Sequence, residues 1–212
     1  MKEIVIIDYG IGNIRSVMRG IEICGYNPKL TSDPKVIKNA SKVILPGVGA
    51  FENGMKGLRN KELIRPIKEF ILSGKYFLGI CLGMQLMMTK SYELGNFNGL
   101  DIIEGEVLPF QKNDITNNFK MPHIGWNQIK KQTYSDWNSS ILGGLKEQSD
   151  VYFVHSYYVK PKHEKNSIAI CNYANSDFCA VIKDENIYGC QFHPEKSGNA
   201  GLKILKNFCK KN

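Results

Sequence analysis

Residues Phe77–Met88 read FLGICLGMQLMM, an apolar run in which a cysteine has glycine two positions before it and two after. A buried strand has no use for Gly79 and Gly83, and a helix is weakened by them. The run is resolved by reading YFLGI as a strand and LGMQLMMT as a helix, with Cys81 at the junction. The spacing Gly79-x-Cys81-x-Gly83 is then that of a nucleophile elbow with sulfur in place of oxygen, and the glycines let the backbone pass close to its neighbours on either side of a strained turn. This restricts the chain to folds whose strands run directly into helices. A thiol at the start of a helix has its thiolate favoured by the free amides there, and those amides, Leu82 included, can receive charge developing on an attacked carbonyl. Taken alone, the stretch also fits a cysteine packed in a tight turn.

The rest of the first half supplies such a fold. EIVIID is a continuous apolar run ending in a polar turn, as a parallel strand buried on both faces should be. GNIRSVMRGIEICG spaces Ile14, Val17, Met18, Ile21 and Cys24 for a helix that Gly25 stops, and TSDPKVI begins another with Asp33 as cap and Pro34 in the first turn. SKVILPG reads as a strand and KELIRPIKEFILSG as a helix. Beyond about residue 95 come short β-type runs separated by turn residues, among them HIGWNQIKK, DVYFVHSYYVK and IYGCQF, with Gln111–Phe119 as a polar loop. The expectation is an α/β fold: a central, mostly parallel sheet with helices on both faces, plus a smaller antiparallel portion. No repeat or linker divides it, so residues 1–212 read as one domain.

Composition narrows the partners. The net charge is +8, but the lysines are dispersed, and neither an RNA-binding motif nor zinc-finger spacing is present, so nucleic acid is not expected. The apolar run before Asp8 is too short for a signal-peptide core, and nothing approaches the ~18 uninterrupted apolar residues of a membrane span. The six cysteines form no CxxC pair or framework spacing, which suits reduced thiols in the cytoplasm, five of them packing residues.

A thiol nucleophile needs a base, and the chain holds four histidines. His163 lies in a charged loop, and His155 sits on a strand where it can be a hydrogen-bonded core residue. His193, in QFHPEKS, follows a strand and has Glu195 two residues on, with Pro194 fixing the turn so that carboxylate and imidazole can face each other. A capped strand end with solvated charges is the plainer alternative. ILPGVGAF ends a strand in a loop where a Gly47-Val48 peptide free to flip could turn an amide toward an oxyanion. In MPHIGWN, Trp126 reads as an exposed-turn residue able to anchor an interface.

GICLGMQ together with QFHPEKS resembles the class I, triad-type glutamine amidotransferases over the whole chain. That resemblance implies a flavodoxin-like fold, hydrolysis of L-glutamine through a cysteine thioester, and no cofactor or metal. It makes Cys81 the nucleophile, His193 the general base and acid, and Glu195 the orienting carboxylate, with Val48 and Leu82 at the oxyanion. DYGIGN, PGVGAF, PHIGWN, YFVHSYY and HPEKS, in that order, resemble the branch of the family that delivers ammonia to a separate (β/α)₈-barrel subunit in histidine biosynthesis. By the same carry-over, Gln85 and Glu93 hold the glutamine head group with Gly49, Ser156 and Tyr157, while Asn13, Trp126, Tyr152 and Lys196 face the barrel. TKSYELG is less acidic than the family's usual run around Glu93. The alternatives are a paralogous glutaminase serving surface-sugar synthesis, a redox or repair protein using the same elbow, and a basic binding module.

Overall fold

The computed structural model describes residues 3–110, 120–133 and 135–211, so the polar loop expected at Gln111–Phe119 lies outside the described residues. The chain opens with β1 (Ile4–Ile7), α1 (Ile14–Ile23), β2 (Pro28–Thr31), α2 (Pro34–Asn39) and β3 (Lys42–Gly47). There follow α3 (Phe51–Asn60), α4 (Ile64–Leu72), β4 (Tyr76–Cys81) and α5 (Leu82–Leu86). Short strands β5 (Met88–Ser91), β6 (Phe97–Asn98) and β7 (Ile103–Pro109) lead to β8 (His123–Lys131), β9 (Ser149–His155) and β10 (Tyr157–Pro161). The last elements are β11 (Ser167–Tyr173), β12 (Ser176–Asp184), β13 (Ile187–Cys190) and α6 (Gly198–Lys210).

The described strands form one continuous sheet, running β2-β1-β3-β4-β13-β12-β10-β7-β5-β6, with β11, β8 and β9 branching from β12. The part from β2 to β13 is parallel throughout. Its order is the flavodoxin-like 2-1-3-4-5, with β13 as the fifth strand. The apolar run of β1 is buried on both faces because alternate residues serve different layers. Ile4 and Ile6 pack with Val17 and Ile21 of α1 and with Ile204, Leu205 and Phe208 of α6. Val5 and Ile7 pack with Ile37 of α2, Met55 and Leu58 of α3, and Ile67 and Phe70 of α4. Asp33 caps α2 as expected, accepting the Lys35 N–H at 2.8 Å.

Three sequence expectations are corrected. The helix read from Lys61 begins at Ile64, because Glu62 has φ +55° and breaks the chain there. A helix not foreseen, α3, precedes it. The helix read through LGMQLMMT stops at Leu86, and Met88–Ser91 instead pairs parallel to β7. Trp126 is not in a turn: it lies within β8, opposite Tyr152 of β9. Among the described residues, no helix is long and apolar enough to cross a membrane.

Candidate active site

Adjacent strand ends converge at the carboxyl edge of the parallel sheet, where α/β folds hold their ligands. β3 delivers Gly47 and, beyond it, Val48 and Gly49; β4 delivers Cys81; the segment after β13 delivers Gln191, His193 and Glu195. Cys81 has φ +52° and ψ −110°, a backbone conformation that costs a non-glycine residue roughly 1–3 kcal/mol. The flanking glycines make the bend possible. A Cβ at Gly83 would collide with the Leu45 carbonyl of β3, and one at Gly79 would lie 2.6–2.7 Å from Met87 Sδ, the Gly83 carbonyl and the Met84 amide.

His193 is buried, and its Nδ1 lies 2.8 Å from Glu195 Oε1 with both side chains out of solvent. Pro194–Lys196 forms a single 3-10 turn that brings the two together. Two bonds tie this turn to β9. The His193 N–H donates to the Tyr152 carbonyl at 2.9 Å, and the Ser197 hydroxyl donates to the His193 carbonyl at 2.7 Å while accepting the Tyr152 N–H at 3.0 Å. Burial disfavours the charged imidazole, but Cys81 on one side and Glu195 on the other outweigh it and raise the ring to about 10. His193 Nε2 makes no hydrogen bond among the described residues. The Cys81 thiol instead donates to the Val154 carbonyl at 3.9 Å and accepts from Gln191 Nε2 at 3.8 Å.

A cavity of about 120 Å³ opens over Cys81, and every residue assigned from sequence to the oxyanion or the substrate lines it: Val48, Gly49, Leu82, Gln85, Glu93, Ser156 and Tyr157. Gln85 is buried, with Nε2 committed to the Tyr157 carbonyl at 2.9 Å and to Gln191 Oε1 at 3.2 Å. Glu93 lies beside the same space, one carboxylate oxygen accepting the Phe51 N–H at 2.7 Å where α3 begins. Burial pushes its carboxyl up, and that N–H opposes the shift.

The residues assigned to a partner surface lie at the same edge of the sheet. Trp126 is 58% exposed and meets the Tyr152 ring edge-on at 6.0 Å, and Lys196 Nζ stands 5.8 Å from the Tyr152 ring centre. Asn13 holds the first position before α1, in the loop whose Gly12 approaches Pro46 of β3. Sequence reasoning missed Gln191, Ser197 and Tyr9. The Tyr9 hydroxyl is buried, has no hydrogen-bond partner among the described residues, and faces the backbone of Gly47.

Burial holds the other five thiols in their protonated form. Burial pushes the thiols of Cys171, Cys179 and Cys209 up to about 12 and raises those of Cys24 and Cys190 as well. His155, on the cavity wall, belongs to a buried pair: its Nε2 lies 3.0 Å from His123 Nδ1, and its own Nδ1 faces the Tyr157 carbonyl at 2.9 Å. Burial lowers His123 to about 4 and His155 to about 3, the latter lowered further by the neighbouring histidines against the Tyr157 bond. Their neutral forms are therefore tied to the folded state. Stability from this pair is complete above pH 6.5 and falls as pH drops through the window toward 4 and 3, by up to about 2 kcal/mol per ring at pH 5. His193 has the opposite sign: its contribution is complete below pH 6.5 and is lost as pH rises through about 10. Denaturant melts from pH 4.5 to 8 should show a steep acid-side loss that His123→Phe reduces. An unchanged acid limb in that variant contradicts the assignment.

The fold and this constellation define a thiol-dependent amidotransferase, and comparison agrees. The glutamine amidotransferase class-I family model matches residues 5–212, and the chain belongs to that family. Within it, imidazole glycerol phosphate synthase subunit HisH 1 of Legionella pneumophila (strain Paris) is 48% identical over 210 residues, 98% of this chain and 99% of its own. Subunit HisH of Geobacter metallireducens is 46% identical over 210 residues, 98% of each chain. Subunit HisH of Caldanaerobacter subterraneus subsp. tengcongensis is 48% identical over 205 residues, 96% of this chain and 95% of its own. Among solved structures, PurLQS from Thermotoga maritima matches with a TM-score of 0.72 at 17% identity, covering 99% of this chain and 98% of that one. A second structure, of a glutamine amidotransferase, gives 0.72 at 14% identity over 97% and 98% of the two chains. At such identities the two structures bear on the fold alone.

Proposed function

We propose that this chain is the glutaminase subunit of an imidazole glycerol phosphate synthase. It hydrolyses L-glutamine to glutamate and ammonia and passes the ammonia to a (β/α)₈-barrel subunit in cytoplasmic histidine biosynthesis, with residues 1–212 acting as one amidotransferase unit. The carrying observation is a strained cysteine, a Glu195-oriented imidazole and a small cavity meeting at one sheet edge, in a chain 48% identical to a HisH subunit.

The chemistry follows from the residues. The Cys81 thiolate adds to the amide carbon of glutamine, and the Val48 and Leu82 amides receive the oxyanion. The imidazolium of His193 gives its proton to the departing nitrogen, which leaves as ammonia and collapses the adduct to a thioester. The now neutral His193 takes a proton from water as it attacks the thioester carbon, and sulfur departs as thiolate with glutamate released. Glu195 keeps Nδ1 protonated throughout, so Nε2 is the atom that exchanges protons. Gln85 and Glu93 hold the substrate's head group. Ammonia must stay neutral to react, which is the physical reason for delivering it through an enclosed path.

The exposed Trp126 with Tyr152, Lys196 and Asn13 is the docking face for the barrel, and Lys196, next to Glu195 in the chain, can report docking to the site. The isolated chain should therefore be a poor glutaminase, with glutamate release rising at least about 100-fold when a cognate barrel subunit and its ligand are added. Rapid turnover by the chain alone overturns the coupling. Restoration of growth in a histidine auxotroph lacking its own glutaminase subunit, by this chain with its barrel, tests the pathway. Failure of that pair, with both proteins folded and associated, contradicts it.

A further inference from the structure

We propose that Gln191 is a further member of the reacting site, donating a neutral N–H to the Cys81 sulfur and locking that donor in place through Gln85. This rests on the reading of Cys81 as nucleophile.

Gln191 is completely buried, at 0% exposure, directly after the last residue of β13, and its backbone N–H is held by the Ala180 carbonyl of β12 at 2.9 Å. A buried carboxamide is costly unless its polar atoms are paired. Here both ends go to site residues: Oε1 accepts from Gln85 Nε2 at 3.2 Å, and Nε2 donates to Cys81 Sγ at 3.8 Å.

The direction of this chain of bonds is not arbitrary. A carboxamide can be turned end for end, so its orientation has to be fixed by a partner with a single role. The Tyr157 carbonyl can only accept. It therefore demands the NH₂ group of Gln85, at 2.9 Å, and that same NH₂ can meet Gln191 only at its oxygen. The NH₂ of Gln191 is then forced toward the sulfur. A main-chain carbonyl on the substrate side of the cavity thus dictates that a donor, and not an acceptor, faces Sγ.

The consequence for sulfur is specific. In the resting site the thiol donates to the Val154 carbonyl, and among the described residues His193 Nε2 is unbonded. An N–H aimed at Sγ favours the thiolate over the thiol and keeps doing so after His193 has passed its proton to the leaving nitrogen. It also receives the thiolate that departs in the second half of the reaction. Glutamine bound against Gln85 would bear on the same chain of bonds, so head-group recognition and the state of the sulfur share one link.

The test is the pH dependence of Cys81 alkylation by iodoacetamide, followed by mass spectrometry of the Cys81 peptide. It is made in the complex with the barrel subunit, alongside kcat and KM for glutamine. Gln191→Met keeps the length and removes the donor. The alkylation midpoint should rise by about half a unit to one unit, and kcat should fall roughly tenfold with KM little changed. Gln191→Glu keeps the acceptor for Gln85 but sets a negative charge against the sulfur, so its midpoint should rise further. That order, wild type below Met below Glu, is electrostatic and would not follow from a packing role. Midpoints equal to wild type in both folded variants, with wild-type glutaminase intact, overturn the proposal. A wild-type complex that fails to hydrolyse glutamine while Cys81 still alkylates defeats the reading beneath it instead.

Discussion

Cys81→Ala should lower partner-stimulated glutamine hydrolysis by about 10⁴-fold or more, since losing the nucleophile of a triad disables the unit as a whole. Folding and association with the barrel should survive, because the hydrogen bonds of this side chain to Val154 and Gln191 are long, at 3.9 and 3.8 Å. A second substitution separates chemistry from strain. Residue 81 sits at φ +52° and ψ −110° whichever side chain it carries, and glycine alone among the coded residues adopts that backbone without penalty. Cys81→Gly should therefore be equally inactive yet more stable than Cys81→Ala, by about 1 kcal/mol after the extra unfolded-state freedom of glycine is subtracted. The difference in denaturant midpoint between the two variants measures it. A glycine variant less stable than the alanine one would mean that the bend is not strained, and the elbow would lose its physical basis.

The second large effect is steric. Gly83→Ala should destabilise the protein by about 3 kcal/mol or more, because its Cβ would be driven into the Leu45 carbonyl of β3, and backbone cannot move aside as a flexible side chain can. Gly74→Ala is the control. Unlike Gly83, Gly74 has a positive φ, +71°, but among the described residues nothing lies within 4 Å of its would-be Cβ, so only the strain of about 1 kcal/mol is expected. Urea melts of the two variants decide it. A loss at Gly83 no larger than that at Gly74 would show that the close approach of β3 to the start of α5 does not require glycine after Cys81.

The parallel half of the sheet was legible because its signals are local. The doubly buried run of β1, the Asp33-Pro34 helix start and the Gly25 stop each act within a few residues, and each element lies where those signals place it. Helix α3 was not legible, because Gly54 and Gly57 inside it lower its helix propensity. Their reason is tertiary: a Cβ at Gly57 would lie 2.6 Å from the Tyr9 carbonyl, and one at Gly54 would crowd Leu86 and Leu82. The overlong helix after Cys81 has a similar cause, since Met87 and Met88 suit either period and only pairing with β7 decides for a strand. At the site, the residues with sequence punctuation around them, Cys81 between glycines and His193 beside Pro194, were found. Gln191 and Ser197 were not, because their partners lie 110 and 45 residues away in the chain. A signal did exist for Gln191: it is a polar side chain inside the apolar run YGCQF, where a buried amide needs a partner.

The proposed chemistry requires that Cys81, and no other thiol, attack a glutamine carbonyl in the cavity it borders. A diazo-ketone analogue of glutamine tests that claim most directly when it is incubated with the complex and the modified peptide is located by mass spectrometry. The expected result is a single adduct on Cys81 that excess glutamine suppresses and that Cys24, Cys171, Cys179, Cys190 and Cys209 do not form. An adduct on one of those five, or none on Cys81 in a complex that still consumes glutamine, contradicts it.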